Sequence, residues 1–298
     1  MPRGELARRF LVAALGIPLA ALAIYAGRWV LGALLAGVAV AGARELYRLA
    51  ERAGVRAFAA AGAAGAGAFV LLAAARPTLA AAAPLLWSAA IALALAVAAA
   101  AVWRRGPAGQ PLLAGSVTVA GALLVGGTLG FALFLRHLAP DPSVTDAELA
   151  AWQGRAVVAF PLGLTWVNDS LAFFVGRRWG RRRLAPVVSP GKTVEGAWAG
   201  LAGTALAGGV YAALVFDRWL GLPLGALAGA AGGALLSAAA QVGDLAESVL
   251  KRAVGVKDSG RVFPGHGGVL DRFDALFFTL PASYAFFALA FPGAGVAP

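Results

Sequence analysis

The sequence predicts an all-α fold: a polytopic integral membrane protein with about nine transmembrane helices. Of its 298 residues, 60% are hydrophobic and only 13% are charged, whereas soluble domains carry about 25% charged residues. Apolar runs recur along the whole chain, so they are not one cleaved signal peptide. With no cysteine and two histidines, the chain excludes disulfides, thiolate zinc sites, cysteine nucleophiles and histidine-rich metal sites.

A helix that crosses a bilayer needs about 20 mostly apolar residues. The second qualifying segment is short, and the fourth has Pro77 and Pro84 at or near its start. We divide the chain into an N-terminal transmembrane scaffold (1–110), a central span with an outside loop (111–155) and a C-terminal catalytic region (156–298). The nine predicted spans are 10–27, 29–43, 57–75, 78–102, 112–135, 156–176, 195–216, 219–240 and 274–292.

Basic residues indicate the orientation of these spans. If the N-terminus is cytoplasmic, 20 of the 25 lysines and arginines fall in inside connections and 5 in outside ones. Positive charge in short loops marks the cytoplasmic side of a membrane protein. We therefore expect a cytoplasmic N-terminus, an outside C-terminus, and polar motifs of the second half that face the cytoplasm.

Small residues in the spans predict close helix packing. Gly225, Gly229 and Gly233 recur every four residues in the eighth span, which lets helix backbones approach. Such glycine faces also favour a homodimer. The outside connection 136–155 is expected to be a solvated segment with a short helix that begins at Ser143 or Thr145, without a catalytic role.

Acidic residues gather around the last two spans. Asp271 and Asp274 are three residues apart at the start of the ninth span. A helix that continues past the eighth span would place four polar residues on one face, at spacings of three, four and seven. These four are Asp244, Glu247, Ser248 and Lys251.

If both helix ends meet, four carboxylates share one place. Two like charges about 4 Å apart repel by about 4 kcal/mol at an effective dielectric of 20, so cations or protons must join them. Oxygen ligands favour Mg²⁺ or Mn²⁺. The alternative interpretation is a solvated helix end, salt-bridged by Lys251, Arg252 and Arg272.

The connection between those helix ends is rich in glycine. It contains Lys257, Asp258 and Ser259, then His266 between Gly265 and the pair Gly267 and Gly268. Glycines let backbone N–H groups turn toward an anion, which favours a phosphate nest. His266 would orient a phosphate or cap a helix.

Two further groups of polar residues lie beside predicted spans. Asn168 and Asp169 fall inside the sixth span, where a charged aspartate costs about 2.5–3.5 kcal/mol and should face a polar cavity or a cation. Ser189, Lys192, Thr193 and Glu195 precede or open the seventh span. Helix N-termini favour phosphate, so this is a second candidate site for a triphosphate.

The segment before the seventh span resembles the end of a P-loop, but this interpretation is rejected. Pro186 stands where the first P-loop glycine would fall, and an apolar helix rather than a strand precedes it.

The residues from 248 to 274 resemble the signature of the phosphatidate cytidylyltransferases (CDP-diacylglycerol synthases), with no departure from it. The likeness covers roughly residues 160–280 and includes Asn168 with Asp169, the Ser189–Gly196 block and the Gln241–Ser248 block. The signature residues are Ser248, Leu250, Lys251, Arg252, Lys257, Asp258, Gly260, Phe263, Pro264, His266, Gly267, Gly268, Val269, Asp271, Arg272, Phe273 and Asp274.

The resemblance implies transfer of CMP from CTP to phosphatidate, with Mg²⁺ and a possible second cation, at the cytoplasmic face of the bacterial inner membrane. No nucleic-acid partner is expected. It implies a metal centre at Asp244 and Asp271, with Glu247 and Asp274 as further ligands and Lys257 and Asp258 as catalytic residues. The implied substrate-binding residues are Asn168, Asp169, Ser189, Lys192, Thr193, Glu195, Lys251, Arg252, His266, Gly267, Gly268 and Arg272.

Two alternatives stay open. The same site would serve a CTP-dependent transferase that acts on a polyprenol phosphate or another lipid phosphate. A transporter or channel would instead place paired acids at mid-membrane in two repeated halves, but the sequence has no internal repeat and its acids lie mostly at one edge. The motif spacing of the CDP-alcohol phosphotransferases is absent.

Overall fold

The computed structural model describes residues 3–140, 144–260, 262 and 267–292, with side chains described from residue 14 onward. Its described part is mainly helical. The helices are α1 (Arg3–Ala26), α2 (Arg28–Arg52), α3 (Ala59–Ala75), α4 (Leu79–Arg104), α5 (Pro111–Ala122), α6 (Phe131–Arg136), α7 (Ala147–Trp179), α8 (Val194–Tyr211), α9 (Ala226–Ala253), α10 (Leu270–Phe273) and α11 (Leu276–Ala290).

Among the described residues, seven helical segments are long and apolar enough to cross a membrane. They coincide with the second and the fourth to ninth predicted spans. The first predicted span falls on α1, of which Ala14–Ala26 is the part with described side chains, and the third corresponds to the shorter apolar helix Ala59–Ala75. A multi-pass membrane protein is therefore supported, while the number nine and the orientation of the termini stay predictions.

Several helix boundaries differ from those predicted. The second span is not short, because α2 continues through its arginines to Arg52. The outside connection does not hold a separate helix that begins at Thr145. Instead Asp146 caps α7, accepting hydrogen bonds from Glu148 N and Leu149 N, and the helix runs unbroken into the sixth span; Ser143 lies outside the described residues.

The prediction of a purely α-helical fold is wrong at one place. Two short antiparallel strands, β1 (Arg183–Ala185) and β2 (Ser189–Thr193), form a hairpin between α7 and α8. The Ser189–Thr193 block is therefore a strand that leads into α8. Pro190, Gly191 and a run of three arginines prevent this segment from continuing the apolar helical pattern.

The described contacts divide the chain into two compact units. Unit 1 comprises Met1–Phe134 and Leu250–Phe273, and unit 2 comprises Leu135–Val249 and Asp274–Pro298. Leu250–Phe273 thus packs with the N-terminal helices in unit 1, and the three-part division made from the sequence stays a prediction.

In unit 1, α3 packs between α2 and the segment that follows α5. A Cβ added to Gly126 would collide with the backbone of Ala66 in α3. Buried hydrogen bonds also join α2 and the residue before α3 to α5: the Tyr47 hydroxyl donates to the Thr118 carbonyl at 2.7 Å, and Phe58 N donates to Thr118 Oγ1 at 2.8 Å. In lipid, the hydrophobic effect does not drive helices together, because the surroundings are as apolar as the helices. Close packing of small residues stabilises their association instead.

In unit 2, α7, α8 and α9 approach through glycines. A Cβ on Gly229 or Gly233 of α9 would collide with the backbone of α8 at Gly208 or Thr204. Gly225 instead precedes α9, with φ +77°. Gly229 and Gly233 therefore pack against α8 of the same chain. The predicted homodimer stays a prediction, and these two glycines do not support it.

We expect Gly126→Ala to lower the thermal unfolding temperature of the purified protein in detergent. The added methyl group must displace the Ala66 backbone, and overpacking of this kind costs about 1–3 kcal/mol. The matched control is Gly37→Ala on α2, where a Cβ meets nothing within 4 Å and the change should be neutral or stabilising. Equal unfolding temperatures for both variants would contradict the packing described.

Candidate functional site

A cavity of about 760 Å³ lies within unit 2, between α7, the hairpin, the start of α8 and α9. Polar side chains from separate parts of the sequence converge on it. The predicted site residues that line it are Asn168, Asp169, Ser189, Lys192, Thr193 and Asp244. The structure thus brings together three sequence blocks, the first and last of which are more than 70 residues apart.

An ion pair between Lys192 and Asp244 joins the two sides of this cavity. Lys192 comes from β2 and Asp244 from α9, and their side chains are 26% and 36% exposed. Both groups are accessible from the cavity. A bound anion can therefore draw the ammonium away from the carboxylate, which is then available to a cation.

A buried amide network forms one wall of the cavity. Asn168 Oδ1 accepts from the Ser237 hydroxyl at 2.6 Å, and Asn168 Nδ2 donates to Asp169 Oδ1 at 3.1 Å. Gln241 Nε2 donates to the Ala197 carbonyl at 3.1 Å and to Ser237 at 3.1 Å. These bonds orient Asp169 within a mainly apolar stretch of α7.

The hairpin is held at the start of α8 by Thr193 and Glu195. The Thr193 hydroxyl caps α8, accepting from Gly196 N at 3.1 Å. The Glu195 carboxylate accepts from Arg181 N at 3.0 Å and from Arg182 N at 3.2 Å. Glu195 therefore fixes the loop before β1, and its contacts in this structure are structural rather than with the cavity.

The cavity is rich in positive charge. Arg177, Arg183 and Lys192 line it, and Asp169 and Asp244 are its acidic residues. The N-terminus of α8 adds the partial positive charge of its first turn. This balance suits an anion with several charges that arrives together with a cation.

The second group of predicted site residues lies within unit 1, after α9. Gly255, with φ +68°, ends α9 in a Schellman motif, in which Val256 N donates to the Lys251 carbonyl at 3.0 Å. Lys251 Nζ lies 2.6 Å from Asp271 Oδ1, and the two side chains are only 12% and 6% exposed. The salt bridge of the alternative interpretation is present, but it is buried rather than solvated.

The other oxygen of Asp271 organises the glycine-rich segment. Asp271 Oδ2 accepts from Ser259 N at 2.9 Å, from the Ser259 hydroxyl at 2.9 Å and from Gly268 N at 2.7 Å. Gly267, with φ +81°, lies against the same carboxylate. In this structure, Asp271 Oδ2 is therefore fully hydrogen-bonded.

Comparison with known sequences decides the family. The sequence model described as "Cytidylyltransferase family" matches residues 7–290.

The chain belongs to the cytidylyltransferase family.

Similar proteins support this membership. The uncharacterized protein YnbB of Escherichia coli is 37% identical over 194 residues, which are 59% of this chain and 61% of that protein. A phosphatidate cytidylyltransferase of Bacillus subtilis is 42% identical over 140 residues, or 46% of this chain and 49% of the relative. One of Brucella abortus is 44% identical over 138 residues, or 46% and 48%. The chain thus matches about half to three fifths of each relative's length.

The other site residues expected from the family likeness differ in their exposure to solvent. Lys257, Asp258, Arg252 and Arg272 are exposed, while Glu247 is buried on α9. Arg252 Nη1 donates to the Val256 carbonyl at 2.7 Å. His266 lies outside the described residues.

Asp274 follows α10 directly in the sequence. It lies in a two-residue break between α10 and α11, where its Oδ1 accepts from Ala275 N at 2.8 Å. Asp271 belongs to unit 1, and Asp244, Glu247 and Asp274 belong to unit 2. The predicted meeting of the four carboxylates therefore stays a prediction.

Sequence reasoning missed Glu45 of α2, which is 1% exposed and contacts the segment around Asp271. It accepts hydrogen bonds from Leu270 N and from the Ser259 hydroxyl, both at 3.0 Å. A signal was available. Glu45 continues the buried stripe of Ala39, Gly42 and Leu49, where a solvated glutamate would not be expected.

The donor chemistry of Asp244 and Asp271 fits a magnesium ion. Both are carboxylates, and one partner of each is a lysine ammonium that a cation can replace. Within either unit, the described residues gather no group of three or more acidic or histidine side chains. Magnesium commonly binds through one or two carboxylates, with substrate phosphates and water completing the shell, so each aspartate by itself has donor chemistry that suits Mg²⁺.

We expect Asn168→Leu to destabilise the protein, because it leaves the fully buried Ser237 hydroxyl without its acceptor. An unsatisfied buried polar group costs about 1–3 kcal/mol, so the thermal unfolding temperature in detergent should fall. The control on the same helix is Ser170→Ala, an exposed position. If both variants unfold at the wild-type temperature, the amide network does not support this wall.

Proposed function

We propose that the protein transfers CMP from CTP to phosphatidate, giving CDP-diacylglycerol and pyrophosphate. Membership of the cytidylyltransferase family supports the use of CTP, and the names of its Bacillus and Brucella relatives support phosphatidate as the acceptor. The observation that carries the proposal is the cavity in which Lys192, Asp244 and two arginines converge beside an apolar helix.

The cavity suits a nucleoside triphosphate in size and charge. Its volume of about 760 Å³ lies within the range of about 300–1,000 Å³ that is usual for small-molecule sites. Lys192, Arg177 and Arg183 would contact phosphate oxygens, and the capped N-terminus of α8 would add backbone donors. Asp169 and Asn168 line the opposite wall and would contact the rest of the nucleotide or the cation.

The reaction needs charge compensation more than proton transfer. An oxygen of the phosphatidate phosphate attacks the α-phosphorus of CTP, and the bond from that phosphorus to the β-phosphate oxygen breaks to release pyrophosphate. The attacking phosphate is already ionised at neutral pH, so no strong general base is required. Positioning and electrostatic stabilisation carry most of the catalysis in such transfers.

The lysines and aspartates would exchange partners when substrates bind. In the structure, Lys192 contacts Asp244 and Lys251 contacts Asp271. Phosphate groups would draw each lysine away, and each freed carboxylate would then be available to Mg²⁺. When bound, Mg²⁺ with a possible second cation would neutralise the triphosphate and polarise the reacting phosphoryl group.

Lysines and arginines near Asp271 would hold further phosphate oxygens. Arg252 in the last turn of α9, Lys257 after that helix and Arg272 in α10 are exposed, so they are available to a lipid headgroup. Arginine forks suit the planar, bidentate recognition of phosphate. Asp258 is exposed beside Lys257 and would orient it.

The lipid would enter from the bilayer beside α7. Phe173 lines the cavity and is 57% exposed, and Trp166 one to two turns earlier is 59% exposed. The wall of the cavity is thus open to an apolar environment. Acyl chains would stay in the bilayer while the headgroup reaches the polar side chains.

A second candidate is a CTP-dependent transferase that acts on a polyprenol phosphate or another lipid phosphate. One observation favours keeping it. The matched regions cover only about half of the phosphatidate cytidylyltransferases, so the parts that select the lipid need not be shared.

The decisive experiment incubates purified protein with radiolabelled CTP and phosphatidate, with and without Mg²⁺, and analyses the lipid products. We expect labelled CDP-diacylglycerol only with Mg²⁺. Asp244→Asn and Asp271→Asn should each lower turnover by about a thousand-fold, because loss of a metal ligand forfeits several kcal/mol of charge stabilisation. Glu148→Gln, at an exposed position, is the control and should retain activity.

Competing lipids in the same assay separate the two candidates. An excess of polyprenol phosphate should leave CDP-diacylglycerol formation nearly unchanged. Labelled polyprenol product in place of CDP-diacylglycerol would support the second candidate. Normal turnover of folded Asp271→Asn would refute the metal role of that residue.

We also propose that the protein lies in the bacterial inner membrane with this cavity on the cytoplasmic side. The distribution of its basic residues supports this orientation. Since the chain has no cysteine, single-cysteine variants can test it in intact cells. A membrane-impermeant maleimide should label Glu148→Cys but should label Arg178→Cys only after the cells are opened; the reverse result would invert the topology.

A further inference from the structure

Glu45 is a carboxylate with an unusual position. It lies on α2 between Arg44 and Arg48, is 1% exposed, and its Oε1 accepts no hydrogen bond from the described residues. Burying an ionisable group in this way is costly. A residue that serves only helix packing would not need the charge.

Its contacts bind both ends of the segment that precedes α10. Glu45 Oε2 accepts from Ser259 Oγ and from Leu270 N, both at 3.0 Å. Gly260 and Gly268 lie so close to the carboxylate that a Cβ on either would collide with it. Glu45 thus joins residues that are 11 positions apart in the sequence and are separated from it by more than 200.

Ser259 connects Glu45 with Asp271. Its hydroxyl oxygen lies 3.0 Å from Glu45 Oε2 and 2.9 Å from Asp271 Oδ2. The hydroxyl has one proton, so it donates to only one carboxylate at a time. Asp271 Oδ2 also accepts from the backbone N–H groups of Ser259 and Gly268, so any movement of Ser259 changes the donors around Asp271.

We propose that Glu45 is a positioning residue for the reaction. It holds Ser259 and Leu270 so that the Asp271 carboxylate is presented in one orientation, with Oδ1 directed to Lys251. Glu45 does not itself touch substrate. The expected effect of Glu45 on turnover rests on the proposed function. The expected effect of Glu45 on the segment from Ser259 to Leu270 rests on the contacts alone.

A purely structural role predicts a different result. If Glu45 only stabilised unit 1, its loss would reduce the amount of folded protein but not the turnover of each folded molecule. If Glu45 positions Asp271, folded protein should lose kcat while the KM for CTP stays near the wild-type value. Partners that orient a ligand residue typically contribute about 10–100-fold to activity.

The test compares Glu45→Gln and Glu45→Ala with Glu51→Gln, which changes an exposed glutamate of the same helix. Glu45→Gln keeps the size of the side chain but weakens its hydrogen bonds, since charge-assisted bonds are about twice as strong as neutral ones. We expect kcat to fall about 10-fold or more in Glu45→Gln and further in Glu45→Ala, with the KM for CTP within about twofold. Glu51→Gln should match the wild type.

Hydrogen exchange measured by mass spectrometry supplies a readout that is independent of activity. The Leu270 amide donates to Glu45, so peptides that contain it should exchange faster in Glu45→Ala while peptides from α3 stay unchanged. Ser259→Ala, alone and combined with Glu45→Gln, tests the connection. The two losses of kcat should be less than multiplicative, because both changes disturb one network.

The outcomes separate this inference from the proposed function. Wild-type kcat per folded molecule in both Glu45 variants would overturn the inference, as would multiplicative losses in the double variant or unchanged exchange at Leu270. A wild-type protein that converts no lipid phosphate would overturn the proposed function instead, and the exchange measurement would still decide whether Glu45 holds the segment.

Discussion

Carboxylates at the ends of apolar helices require compensating charge or hydrogen-bond donors, and this requirement shapes both polar regions of the molecule. Asp244 is compensated by Lys192, and Asp271 by Lys251 with three further donors. An uncompensated aspartate at the centre of a membrane span costs about 2.5–3.5 kcal/mol on the insertion scale. The polar residues are therefore arranged around the acids, and small residues such as Gly267 and Gly268 allow close approach to the carboxylates.

The two lysine–aspartate pairs differ in a way that matters for chemistry. The Lys192–Asp244 pair borders an open cavity, whereas the Lys251–Asp271 pair is nearly buried. An exposed pair is weak and easily exchanged, while removal of one partner from a buried pair leaves a costly charge. The first pair is therefore suited to exchange partners readily. The proposed exchange at the second pair requires a phosphate and a cation to replace both partners together, with Glu45 keeping the Asp271 carboxylate in place.

Much of the architecture followed from simple patterns in the sequence. Apolar runs of membrane length located the long helices, and the likeness across residues 248–274 indicated the family that comparison then established. Predictions failed where local geometry depended on contacts. The β-hairpin before α8 and the cap of α7 at Asp146 each rest on hydrogen bonds that residue composition does not specify.

By itself, the sequence determined the class of the protein and the residues that can carry charge, because hydropathy and residue chemistry are properties of single positions and short runs. Only the tertiary structure decided which of those residues meet. It placed Lys192 against Asp244 and not beside Glu195, and it drew Glu45 from the supposed scaffold to the segment around Asp271. The physical reason is that a buried carboxylate accepts donors from wherever the folded chain supplies them, irrespective of sequence distance.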